Sequence, residues 1–173
     1  MAVESPLADL FLQIQERIKT TVPAVKWIDL DFGQMDINTN EYKPPVIFPC
    51  SLIDLTGLTF EDLSGGNQTA MGKVIIRLSV APFSQSNQVT SLPQRERAIE
   101  FLEIEYQIAK SLHNWKPTGF NRLLRRSQDK LDREDTLRER IIGFDFSYTD
   151  TSASKLFTKV PRPQPVIGTD ILP

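Results

Sequence analysis

The sequence holds a single histidine, His113, and a single cysteine, Cys50. Acyl or thiol chemistry needs a nucleophile, a base within hydrogen-bond reach and a third group that orients the base. His113 falls at the end of a helical pattern beside Asn114 and Trp115, where a partly exposed imidazole near the negative helix end is the simpler reading. Cys50 lies in an apolar run and reads as an inert buried thiol. One histidine and one cysteine cannot assemble a structural zinc site. Carboxylates do cluster, as Asp29 with Asp31, Glu61 with Asp62, and Asp129, Asp132, Glu134 and Asp135. None has the spacing of a calcium loop, so solvated surface charge is the reading. The stretch GNQTAMGK from Gly66 to Lys73 glances at a phosphate loop and fails. Its glycines are one residue too far apart, Val74 replaces the hydroxyl residue, and a strand pattern follows where a helix N-terminus must hold the phosphate. No catalytic, cofactor or metal residue is therefore assigned.

The basic run is more informative. Arg122, Arg125, Arg126, Lys130, Arg133, Arg138 and Arg140 crowd together, as they would on a nucleic-acid face. Asp129, Asp132, Glu134, Asp135 and Glu139 interleave with them, which favours a solvated hairpin or an ion-pair surface between subunits. Arg122, Arg125 and Arg126 precede the acids and stay candidates for an interface. A DNA-reading helix should be rich in Arg, Lys, Asn or Gln. The second helix instead carries Glu96, Glu100, Glu103 and Glu105 on or near its expected wet side.

Composition is ordinary for a soluble globular chain, with 40% hydrophobic and 24% charged residues. The 173 residues suit one domain, and 20 basic against 22 acidic side chains give no overall pull toward nucleic acid or an anionic membrane. One cysteine permits no internal disulfide, as in a reducing cytoplasm. The first residues lack a basic start and an apolar core, so no secretory signal is expected. No apolar run reaches the roughly 18 residues of a membrane span.

The elements that must position these side chains follow from periodicity. Ser5 caps and Pro6 opens a first helix, with Leu7, Leu10, Phe11, Ile14 and Ile18 on one stripe, ended by Pro23. Residues 25–32 read as a half-buried strand and residues 46–55 as an apolar one. Pro49 inside the second run places it at an edge or a bulge. Residues 56–72 form a polar, mobile hairpin arm, loosest around Gly65 and Gly66, with Phe60 and Leu63 as its apolar contacts. An idle loop is the competing reading of that arm. Residues 73–81 alternate cleanly, with Val74, Ile76, Leu78 and Val80 inward and Lys73, Arg77 and Ser79 on a wet face. Pro93 opens a second helix running to Asn114, with Ala98, Phe101, Leu102, Ile108, Ala109 and Leu112 on its packed face. Residues 120–126 are a fourth strand, 127–135 a charged hairpin, and 137–149 a fifth strand with Ile142, Phe144, Phe146 and Tyr148 inward. The expected fold is α+β, two helices on one face of a mainly antiparallel sheet of about five strands. The domain covers residues 1–150. Residues 151–173 form a proline-rich, extended tail whose Val166, Ile167, Ile171 and Leu172 suit docking on a neighbour.

The segments LADLFLQIQERI (7–18), VKWIDLDFGQ (25–34), PPVIFPCSLID (44–54), GKVIIRLSV (72–80) and LHNW (112–115) together resemble small tail proteins of Bacteroidetes-type phages and prophages. More loosely they resemble the phage tail terminator (tail completion, minor tail) family. The resemblance spans about residues 5–150 and rests on element order, not on a catalytic signature. It implies a non-enzymatic α/β subunit that forms a six-membered ring, caps the tail tube, stops its polymerisation and joins it to the head connector. The implied partners are further copies of the chain, the tail tube protein, a head–tail connector or stopper and the tail sheath. DNA would be passing cargo, and no cofactor or membrane is implied. The implied place is the virion tail or neck, assembled in the host cytoplasm. Another neck component, such as a connector, stopper or tube adaptor, fits the same pattern.

Overall fold

The computed structural model describes residues 4–36, 46–81, 85–132 and 137–154. The first helix, α1 (Pro6–Thr21), starts where the sequence dictates. Ser5 is its N-cap, the Ala8 N–H donates to Ser5 Oγ at 3.5 Å, and Pro6 fills a position that needs no donor. Leu10, Ile14 and Ile18 recur on one side and are fully buried. The strands β1 (Trp27–Leu30), β2 (Cys50–Asp62), β3 (Gln68–Val80), β4 (Leu124–Leu131) and β5 (Arg138–Asp150) form one sheet in the order β1-β2-β3-β5-β4. Helix α2 (Leu92–Leu112) lies between β3 and β4 in the chain. Among the described residues only β1 and β2 pair in parallel, and the other pairings are antiparallel. The α+β class, with both helices on one sheet face, is as expected.

Four element-level expectations are corrected. Strand β2 is interior, not an edge, and begins after Pro49. Pro49 sits just outside the ladder, where its carbonyl accepts from Lys26 N–H at 2.8 Å, so its missing donor costs no strand bond. The arm at 56–72 is a regular hairpin: β2 pairs with β3 out to Asp62 and Gln68, and β3 pairs with β5 out to Asp150. A register shift between Thr56 and Thr59 holds Gly57 at φ 66, a conformation glycine adopts without strain. The fourth strand starts at Leu124, while Phe120 and Leu123 are buried core residues in the loop before it. Residues 127–131 of the charged hairpin belong to β4, and residues 133–136 lie outside the described residues.

The main core lies between the helices and one sheet face. It joins Leu10, Ile14 and Ile18 to Val74, Ile76 and Leu78 of β3, Ile142, Phe144 and Phe146 of β5, and Ile108 and Leu112 of α2. Phe120 meets Tyr148 edge-on at 5.3 Å between ring centroids. The packed face of α2 differs from expectation: Ile104 and Glu105 are buried, while Leu102 is exposed. Glu105 can go inside because Arg140 Nε donates to its Oε1 at 2.8 Å. The far face of the sheet carries a smaller apolar cluster of Met35, Cys50 and Leu52, flanked by Trp27, Val46, Phe48 and Leu137.

Candidate functional site

Arg77 was expected on a wet face, and the structure covers it. Its guanidinium donates to Glu139 Oε1 at 2.8 Å, Asp31 Oδ2 at 2.9 Å and Asp36 Oδ1 at 3.2 Å. The side chains of Arg77, Asp31 and Glu139 are only 14%, 10% and 0% exposed. Ser79, also expected to be wet, is buried and donates to Glu139 Oε1 at 3.3 Å. The loop after β1 causes this burial. Alternation puts Arg77 and Ser79 on the face away from the helices, and the 31–36 segment then folds over that face with Asp31, Met35 and Asp36. Burial alone would lower the pKa of Arg77, but the hydrogen bond and charge of Glu139, with Asp31 beside it, hold it above its ordinary value. The cation is therefore permanent and consumed by structure.

The two residues with catalytic potential are likewise occupied. His113 is exposed at the C-cap of α2, and its Nδ1 accepts from Arg125 N–H at 3.2 Å. Cys50 is buried, and desolvation pushes its thiol up to about 11, against hydrogen bonds from Ser79 that act the other way. A thiol so placed carries no thiolate near neutral pH. Among the described residues no group of three or more His, Cys, Asp or Glu side chains could hold a metal ion.

A concavity opens on the far sheet face, at the base of the β2–β3 hairpin. It is a trough of about 760 Å³, lined among others by Met71 and Lys73 of β3, Lys116 and Arg122 of the loop after α2, Leu124 and Arg126 of β4, and Asp145 of β5. Register explains the meeting: Lys73 pairs with Asp145 and Asp145 with Leu124, so these side chains stand in a row. Arg126 Nε donates to Asp145 Oδ2 at 2.7 Å, and Arg122 Nη1 donates to the carbonyl of Asn114 at 3.0 Å, where α2 ends. The lining sets four cationic side chains against one carboxylate.

The interface candidates thus separate. Arg122 and Arg126 come together in the trough. Arg125 does not, because it pairs with Phe144 and donates to Gln128 Oε1 at 3.2 Å. Phe60 and Leu63 are exposed on the hairpin, and neither lines the trough. Val166, Ile167, Ile171 and Leu172 lie outside the described residues. Sequence reading missed Lys73 and Lys116 as partners of the arginines. Strand alternation gave the outward side of Lys73, but nothing local ties it to a loop more than forty residues away.

No helix of the described residues is long and apolar enough to cross a membrane. No protein-family model and no curated protein matches the sequence. Among solved structures, the fold is similar to a chain of the virion of a native gene transfer agent (GTA) particle. The TM-score is 0.52 at 9% sequence identity, and the match covers 86% of this chain and 100% of that one. At that identity the likeness is one of fold alone.

Proposed function

We propose that this chain is a structural subunit of a phage-like virion, a tail terminator that closes into a six-membered ring. In this reading the ring caps the tail tube, stops its polymerisation and joins it to the head connector or stopper, with sheath contacts where a sheath exists and DNA as passing cargo. The observation that carries the reading is the fold shared with a virion chain over that chain's whole length. The sequence segments at 7–18, 25–34, 44–54 and 72–80 support it independently, through their resemblance to phage tail proteins. The side-chain chemistry is compatible with a role without catalysis, since His113 and Cys50 are both engaged structurally.

Within this proposal residues 1–150 are the ring-forming domain, and residues 151–173 dock on a neighbour through Val166, Ile167, Ile171 and Leu172. The β2–β3 hairpin, with Phe60 and Leu63 exposed on it, is a second arm for a neighbour or the tube. The subunit is assembled in the host cytoplasm and ends in the tail or neck. Native mass spectrometry with negative-stain imaging of the purified chain tests the reading. A closed ring of six that binds tube ends, and that weakens on deletion of residues 153–173, is expected. A dodecamer, or a monomer that ignores tube ends, would replace the terminator with a connector, stopper or adaptor.

A further inference from the structure

We infer that neighbouring copies of this chain join by seating the outer face of α2 from one copy in the basic trough of the next. The inference rests on the ring proposal and names its contact. The outer face of α2 is unlike an ordinary solvated helix surface. Ile104, Ile108 and Leu112 take its inner side into the core, and this turns Ile99, Leu102, Glu96, Glu100 and Glu103 to the opposite side. Ile99 and Leu102 are about half exposed, and with those three glutamates and Arg97 they line a shallow surface depression. The patch is thus an apolar stripe beside an acidic one.

The trough has the reciprocal character. Its cations outnumber its carboxylate four to one, and Met71 and Leu124 supply exposed apolar surface between them. Asp145 is already held by Arg126, while Lys73 and Lys116 have no ion-pair partner among the described residues. A nucleic-acid backbone would meet the cations but leave Met71 and Leu124 without apolar contact, whereas Ile99 and Leu102 would cover them. The two patches also lie on opposite sides of the layered subunit, α2 outside the helical layer and the trough on the sheet face away from it. A contact between two different patches is heterologous, and its repetition closes a ring or extends a fibre. A helix laid in a groove with complementary charge gives such a contact both its affinity and its register.

Charge reversal in the full chain, read by sedimentation velocity and native mass spectrometry over a concentration series, tests the contact. K73E/K116E and E96K/E100K alter exposed side chains, and each should weaken self-association by roughly 100-fold by bringing like charges together. The chain carrying all four changes restores opposite charges across the contact, and should recover to within about tenfold of the parent. A ring that persists through both single-patch variants overturns this contact and leaves the ring reading standing. A combined chain no better than its parents also overturns it. A parent chain that stays monomeric both alone and at tube ends overturns contact and ring together. Salt-dependent binding of a short DNA duplex, lost in K73E/K116E while assembly is unchanged, would make the trough a nucleic-acid surface instead.

Discussion

Arg77→Met should be among the most damaging single changes outside the main core, and the structure sets its size. The guanidinium holds three carboxylates, but they do not count equally. Asp36 is 55% exposed and its link is of the surface kind, contributing about 0–1 kcal/mol. Asp31 and Glu139 are held at 2.9 and 2.8 Å in nearly dry surroundings, and losing their shared cation leaves two carboxylates under the 31–36 loop. Removing one partner of a buried pair costs about 3–5 kcal/mol. At roughly 2–4 °C per kcal/mol for a chain of this size, the melting temperature should fall by about 6–20 °C. The companion variant R77M/E139M removes one of the two stranded carboxylates and should regain part of the loss, while Asp31 still lacks its cation. Urea unfolding followed by circular dichroism measures both. The deficit of R77M should survive high salt, since the pair is shielded from solvent ions. A cost below about 1 kcal/mol, or a double variant worse than the single one, would refute the assignment of a buried, structurally committed cation.

Three further outcomes are expected. Cys50 has a folded-state pKa of about 11, above the value near 9 it takes when solvated, so the stability from its buried thiol is complete below pH 9 and is lost as pH rises toward 11. About 2–3 kcal/mol should disappear over that window relative to C50A, measured by urea unfolding at stepped pH, and a thiol reagent at pH 8 should label the protein only after denaturation. Gly72→Ala would place a Cβ 2.8 Å from Cζ of Phe146, whose ring is buried, so overpacking of about 1–3 kcal/mol should appear in thermal melts. Arg126→Met breaks a pair that is 61% and 41% exposed and should cost less than about 1 kcal/mol, fading in high salt.

The parts of this fold that were readable in the sequence are those where one local rule acts alone. Ser5 and Pro6 start α1 because capping and a fixed φ need only neighbours along the chain, and the inward alternation of Val74, Ile76 and Leu78 needs only the pleat. Reading failed where a partner distant in sequence changes what a side chain sees. Glu105 looks solvated on a helical wheel, yet it is buried because β5 brings Arg140 to it. Arg77 looks solvated on the strand, yet the loop after β1 covers it. Pro49 looked like a strand interruption because an apolar run does not show where pairing begins. The trough was only half legible for the same reason: Arg122 and Arg126 are close neighbours in the chain, but Lys73 reaches them only through the pairing of β3 with β5 and β5 with β4.

One face of the sheet thus carries two different solutions to the same geometric problem. Along β3 the residues pointing away from the helices are Ser79, Arg77, Ile75, Lys73 and Met71, in that order. At the Ser79 end, Asp31, Asp36 and Glu139 neutralise Arg77, and Met35, Cys50 and Leu52 form an apolar seal, so that end is closed within the subunit. At the Met71 end the loop after α2 walls the trough without filling it, and the lysines and arginines of the lining exceed its one carboxylate. A surface that needed only to be soluble could have been neutralised as the first end is, with acids on a facing strand and an overlying loop. The asymmetry instead leaves a rigid, cationic and partly apolar floor, held from behind by Phe146 packed against Phe120 and Tyr148 in the core. A floor fixed in this way can select a partner by shape and charge without rearranging, which is what a subunit needs if each copy is to meet the next at one fixed angle.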